Sequence, residues 1–312
     1  MKGIELSEAF YNEYGRAMLE NFPHLADKIA VGVCGSGSEC FGYDDEISRD
    51  HDFEPGFCIF LPDEEIIDSK TEFQLERAYT KLPKEFKGYK RSVLKPVGGA
   101  RHGVVRISDF LMDKTGTKNA ELSLREWLTI PEQALAEATN GKIFFDGLGD
   151  LTKTRESLSY LPEGVRRKKL AGNLLIMAQS GQYNYSRCVL RGETASAQLA
   201  VFELVKSALN VIFLLNKRYI PYYKWTFRAL RELPLLSHLY AKLEYLLTSS
   251  NEGNEATKKQ ALIEEICSEI IEELKAQELT CIDTLDLEPH AYAVNDKITD
   301  PTLRNLHILC AI

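Results

Sequence analysis

Ile29-Ala30-Val31-Gly32-Val33-Cys34 runs directly into Gly35-Ser36-Gly37-Ser38, and Ser48-Arg49-Asp50-His51-Asp52-Phe53 follows ahead of the apolar Gly56-Phe57-Cys58-Ile59-Phe60-Leu61. The first run is apolar and partly β-branched, the pattern of a buried strand. A strand that ends in small residues and opens into Glu39-Cys40-Phe41-Gly42, read as a short helix, presents backbone N–H groups to whatever docks there. Ser36 and Ser38 add hydroxyl donors. On a strand running from Asp50 to Leu61, residues two apart share a face, so Asp50 and Asp52 would project together and His51 would point away. Two carboxylates on one face suit Mg²⁺, with Mn²⁺ as an alternative, because the ion takes one or two carboxylates plus substrate phosphates. The plainer reading of the same residues is a Gly-rich loop followed by a solvated turn with capping aspartates.

The order and spacing of these elements are those of a nucleotidyltransferase site, and the likeness extends further. Gly35-Ser36-Gly37-Ser38-Glu39, Gly42-Tyr43-Asp44-Asp45-Glu46 and Ser48 to Phe53 resemble the bacterial domain-of-unknown-function family 4037, regarded as nucleotidyltransferase-like. So do Glu126-Trp127-Leu128 with Pro131-Glu132-Gln133, Gly141 to Asp146, Arg187 with Arg191-Gly192-Glu193, and the run from Leu215 to Trp225. The resemblance covers most of residues 1–235. It implies transfer of a nucleoside monophosphate from an NTP, most simply ATP, to an acceptor hydroxyl. Gly35, Ser36 and Ser38 would cradle the triphosphate, Asp50 and Asp52 would hold the metal, and Arg106, Arg187, Arg191 and Lys224 would neutralise phosphate. The chain departs from the pattern at Phe53 and Glu54, where the family usually has Trp and Gly.

Nucleotidyltransferases generally carry a third carboxylate on a later strand, to help deprotonate the attacking hydroxyl. The strand that suits is Gly103-Val104-Val105-Arg106-Ile107-Ser108, whose central polar residue is Arg106. Its guanidinium matches phosphate geometry, and it equally matches an acidic neighbour. Glu54, Asp109 and Glu193 are the candidate replacements, with Asp109 also fitting a cap for a helix starting at Phe110. Two rivals to the enzyme reading follow: an NTP-binding regulator or pseudoenzyme, and a nucleic-acid or protein interaction module on the same fold.

With 312 residues, two domains are the first expectation. No stretch reads as a membrane span and the N-terminus lacks a secretory pattern, so the expected location is the cytoplasm. Seven scattered cysteines with no Cys-x-x-Cys pair argue against a disulfide framework or zinc site. A net charge of −8 disfavours coating of extended DNA, where affinity rests on many phosphate contacts. The acceptor stays open: an RNA end, a small molecule or a protein. Among local basic clusters, 166–169 reads as a solvated helix face. Lys217 to Arg231 interleaves cations with Tyr219, Tyr222, Tyr223 and Trp225, which suits either base stacking or core packing.

The coarse pattern is α+β. Residues 1–120 form a nucleotidyltransferase-like mixed sheet with helices, and 121–312 an all-α helical bundle, with the site expected between them. Long helices are expected at 163–182, 193–217, 224–247 and 255–277, and Lys142 to Asp146 reads as a short extended piece.

Overall fold

A computed structural model of the chain describes residues 1–49, 53–91 and 102–312. It forms two compact units, one of residues 1–122 and 130–159, the other of 123–129 and 160–312.

The first unit is built on a mixed four-stranded sheet in the order β5-β2-β1-β6, formed by β1 (Ala30–Val33), β2 (Cys58–Leu61), β5 (Gly103–Arg106) and β6 (Lys142–Asp146). A separate hairpin joins β3 (Glu85–Phe86) to β4 (Tyr89–Lys90). β1 pairs antiparallel with β2 and with β6, whereas β2 and β5 run parallel. Every residue of β1 and β2 is buried. Their alternate side chains feed two cores: Val31, Val33, Ile59 and Leu61 pack with Leu6, Phe10 and Phe57, while Ala30, Phe60 and Cys58 pack with Phe110 and Leu151. A sheet covered on both faces needs apolar residues at every position, which explains the unbroken apolar runs of the sequence. The expected strand from Asp50 to Leu61 is shorter than its pattern implied. Pro55 lacks an N–H for the ladder, and Gly56 lies so close to the His102 ring that a Cβ would come within 2.5 Å of Nδ1, so pairing starts at Cys58.

Lys142–Asp146 is an integral strand of this sheet, paired as Val33↔Lys142 and Ala30↔Asp146. Pairing with β1 therefore carries residues 130–159 into the first unit, past the 120/121 boundary that the helical pattern suggested.

The second unit is helical, with long helices at Glu163–Met177, Thr194–Leu215 and Gly253–Ala276, the first continuing through a π-helical segment at Ala178–Tyr185. The stripe Val201, Val205, Leu209, Ile212 and Phe213 is buried as its spacing predicts. Thr194–Leu215, where the sequence pattern suggests no membrane span, is long and apolar enough to cross a membrane, and 61% of its most apolar window is buried inside the protein. The expected 224–247 helix is two helices, Tyr223–Arg231 and Tyr240–Thr248, because Pro234 removes a backbone donor and disfavours helical geometry in the residue before it. Residues 166–169 also differ from expectation, since Arg166, Lys168 and Lys169 are buried. Lys168 Nζ donates to Asn295 Oδ1 at 2.9 Å and to the carbonyls of Arg304 at 3.2 Å and Leu306 at 2.6 Å. A buried ammonium thus satisfies carbonyls at the C-terminal end of the Pro301–Asn305 helix, which would otherwise be orphaned.

Candidate functional site

The Gly35-Ser36 turn leaves the end of β1 and is held by Asn140, just before the neighbouring strand β6. Gly35 N donates to Asn140 Oδ1 and Asn140 Nδ2 donates back to Gly35 O, both at 2.9 Å. Gly35 has φ 109°, open to glycine and strained for other residues. Gly141 follows Asn140 at φ 73°, and its N–H donates to Cys40 O at 2.9 Å. A Cβ at Gly141 would fall 1.9 Å from Val33 O. Two glycines therefore let the 35–40 loop and the 140–141 corner lie backbone against backbone. Arg155 braces the corner by donating to Thr139 O at 2.6 Å and to Asn140 O. Glu39–Phe41 is a single 3₁₀ turn, shorter than the helix the sequence suggested.

Ser36 Oγ sits in a charged triangle. It donates to Glu137 Oε2 at 2.7 Å and accepts from Lys114 Nζ at 2.9 Å, and Lys114 Nζ lies 3.2 Å from the same Glu137 oxygen. Asp113 Oδ2 is 3.0 Å from the ammonium. The Lys114 side chain is only 13% exposed and that of Glu137 22%, so the pair is partly withdrawn from water. Neither residue carries a sequence signature. Lys114 arrives because the Ile107–Thr115 helix starts directly at the end of β5 and runs back along the sheet. Eight residues of helix cover about 12 Å, close to the length of the strand it retraces.

Strand direction decides the place of Arg106. Cys58 pairs with both Gly32 and Gly103, so the beginnings of β2 and β5 lie at the sheet end where β1 finishes and the Gly35 turn begins. Arg106 pairs with Leu61 at the other end. There its guanidinium donates to Pro62 O at 2.9 Å, Ile67 O at 3.0 Å and Glu72 Oε2 at 2.6 Å. Of the two readings of Arg106, pairing with an acidic neighbour is the geometry found. The β5 residues at the turn's end are Gly103 and, just before it, His102, whose Nδ1 lies 3.6 Å from Glu54 Oε1. Glu54 is thus at the same sheet end as the turn. Asp109 lies in the first turn of the Ile107–Thr115 helix, which begins earlier than the expected cap position. Glu193 precedes the Thr194–Leu215 helix and makes no side-chain cap.

Asp50, His51 and Asp52 lie outside the described residues. The loop leading to them is anchored: Gly3 N donates to Asp44 Oδ2 at 2.9 Å and Lys2 Nζ to Asp44 O at 2.6 Å. Among the described residues, no group of three or more His, Cys, Asp or Glu is placed to hold a metal ion. Ser38 shares the loop with Gly35 and Ser36. Arg187, Arg191 and Lys224 belong to the second unit, where Arg187 lies over the Tyr183 ring at 4.5 Å and Lys224 over Trp225 at 5.0 Å. Cys34 and Cys58 belong to the core formed with Ala30, Phe60, Phe110 and Leu151. Burial pushes the Cys34 thiol up to about 11, with Arg155 opposing, and raises Cys58 further, so both are neutral packing groups.

Comparison with known proteins adds three findings. No curated protein matches the sequence. A solved nucleotidyltransferase-like protein from Exiguobacterium sibiricum 255-15 is similar at 12% identity and a TM-score of 0.39, over 92% of this chain and 80% of that one. Residues 127–226 match the model of the domain of unknown function DUF4037, a span that lies C-terminal to the Gly35-Ser36 turn. The landmarks from Trp127 to Trp225 that carried the resemblance fall within this match, so the likeness to DUF4037 is found over residues 127–226.

Proposed function

We propose that the first unit binds a nucleoside triphosphate, most simply ATP, at the Gly35-Ser36 turn, and that the protein transfers its nucleoside monophosphate to an acceptor hydroxyl. The observation that carries this reading is the Lys114 ammonium, 2.9 Å from Ser36 Oγ at a turn clamped open by Asn140. A serine hydroxyl, a lysine point charge and the N–H groups of a glycine turn are the donors a phosphate needs. Glu137 now occupies the place an anion would take. In the reaction the acceptor oxygen attacks the α-phosphorus, the bond to pyrophosphate breaks with its electron pair leaving on pyrophosphate, and the hydroxyl proton passes to solvent. Asp50 and Asp52 would hold Mg²⁺, or Mn²⁺ in its place, which supplies charge neutralisation at the phosphates. Such chemistry depends mainly on positioning and charge compensation.

A second reading, nucleotide binding without transfer, is favoured by the occupancy of β5. Its only charged residue, Arg106, is turned to Pro62, Ile67 and Glu72. One experiment separates the two. The protein and an Asp50→Ala, Asp52→Ala double variant are incubated with each labelled NTP, Mg²⁺ and a cell extract, and thermal stabilisation by ATP is measured alongside. Label on one acceptor class only with the intact pair supports transfer. Stabilisation by ATP without label supports the binding reading, and the absence of both stabilisation and label discards the nucleotide site.

A further inference from the structure

Residues 217–231 contain five cations, Lys217, Arg218, Lys224, Arg228 and Arg231, and not one acidic residue, in a chain whose net charge is −8. Five aromatic residues are interleaved with them. The structure sorts this composition. Pro221 and the extended Tyr222 end the linker after the Thr194–Leu215 helix, and the Tyr223–Arg231 helix begins at once. Lys224, Arg228 and Arg231 recur at i, i+4 and i+7, so they share one helix face and form a cationic ridge about 10 Å long. Lys217, Arg218, Lys224 and Arg231 are exposed, and none of these four has a carboxylate partner among the described residues.

Packing accounts for part of the aromatic content and leaves part unexplained. Tyr219 tilts against Tyr160, with ring centroids 5.6 Å apart. Tyr222 and Tyr223 instead lie at the surface, 42% and 77% exposed, with their centroids 4.2 Å apart. Two adjacent exposed rings beside the exposed cations Lys224 and Arg231, neither paired with a carboxylate among the described residues, have the chemistry of a strand-binding platform. Flat π-faces accept unpaired bases, while the cations meet the phosphates that connect them. A duplex hides its base faces and would gain only the charge contacts.

We propose that the 217–231 surface is a docking site for a short segment of single-stranded nucleic acid. Tyr222 and Tyr223 stack on bases, and Lys224, Arg228 and Arg231 contact phosphates. The acidic balance of the rest of the chain confines binding to this segment, so the footprint is a few nucleotides. The proposal uses no residue of the Ser36 site.

The test is fluorescence anisotropy with the full chain and labelled 12-nucleotide RNA, the same sequence as DNA, and the corresponding duplexes, at several salt concentrations and without nucleoside triphosphate. Single strands are expected to bind more tightly than duplexes, and the two single-stranded arms show whether the 2′-hydroxyl matters. Three phosphate contacts predict a log–log salt slope of roughly −2, at about −0.7 each. Lys224→Glu with Arg231→Glu should weaken binding at least tenfold and flatten that slope. Tyr222→Ala with Tyr223→Ala should weaken it roughly tenfold and leave the slope unchanged. Lys153→Glu, at an exposed lysine of the first unit, should bind as the parent does. Melting temperatures of all variants check that the fold is kept. Absence of binding, equal binding by every variant, or preference for duplex overturns the proposal. So does a photocrosslinker at position 223 that captures, from cell extract, a polypeptide insensitive to nuclease. Because no triphosphate is present, these failures leave the nucleotide site untouched, and loss of the nucleotide site leaves this one.

Discussion

The Lys114 ammonium donates to Ser36 Oγ at 2.9 Å across 78 residues of sequence, and both groups share the carboxylate of Glu137. A cation, a hydroxyl and a carboxylate meet where β1 ends. If phosphate replaces the carboxylate, Lys114 and Glu137 have opposite effects on binding. Lys114→Gln removes a charge-assisted contact and should weaken ATP binding tenfold or more, by the roughly 1.5–3 kcal/mol such hydrogen bonds carry. Glu137→Gln keeps an acceptor for Ser36 and removes the competing charge, so ATP should bind at least about threefold more tightly. Isothermal titration of both variants checks the pair, and a shift of the same sign in each would refute the exchange.

Arg106 provides the contrast. Its planar fork serves Pro62 O, Ile67 O and Glu72 together, which a lysine cannot reproduce. Arg106→Lys should therefore cost about 2 kcal/mol of stability in denaturant unfolding. The increment in melting temperature that ATP confers should be the same as in the parent, since Arg106 stands at the far end of the sheet from Gly35. A lost increment with unchanged stability would return Arg106 to the phosphate.

These two residues also show what the sequence discloses and what it hides. The apolar run 29–34 and the glycines after it declare a buried strand and a turn, because burial and positive φ each restrict residue type locally. Which cation meets that turn depends on strand order and direction. The parallel pairing of β2 with β5 moves Arg106 away, and the reversing helix brings Lys114 in. Nothing within a few residues of Lys114 encodes that. Lys142–Asp146 was legible as extended, but only pairing with β1 assigns it to a unit. Lys168 resembled a solvated cation because its partners include backbone carbonyls of residues 304 and 306, which have no side-chain signature.

The backbone corner at 140–141 should be the least tolerant position of the first unit. Gly141→Ala places a methyl 1.9 Å from Val33 O at a positive φ, so either the corner or β6 must move. The expected cost is at least about 3 kcal/mol, in the range of backbone strain combined with steric conflict. Asn140→Ala removes two hydrogen bonds to Gly35 and should cost about 1–3 kcal/mol. Hydrogen exchange tells the two apart. Gly141→Ala should expose amides of β6 and β1 together, and Asn140→Ala only those of the Gly35 loop. Exchange limited to the loop in both would mean that β6 adapts around the methyl.

Burial of the Cys34 and Cys58 thiols makes the fold less stable at alkaline pH. Burial raises Cys34 from 9.0 to about 11 and raises Cys58 as well, the latter also opposed in ionising by Cys34. In the unfolded chain the same thiols ionise near 9.0. Below that pH both states hold the proton and the thiols contribute no pH dependence. Above it the unfolded chain releases protons that the folded one retains, so fewer protons are bound unfolded and stability falls as pH rises. For Cys34 the loss runs from about 9 to about 11. Melting temperature should therefore be flat between about pH 6 and 8 and decline beyond about pH 9. Cys34→Ala with Cys58→Ala should lower the plateau, since two buried side chains shrink, yet make the alkaline decline shallower. The slope, unlike the plateau, is insensitive to the packing loss. An unchanged slope would show that other buried acids, such as the Tyr79 phenol and the Cys267 thiol, both raised by burial, dominate the alkaline limb.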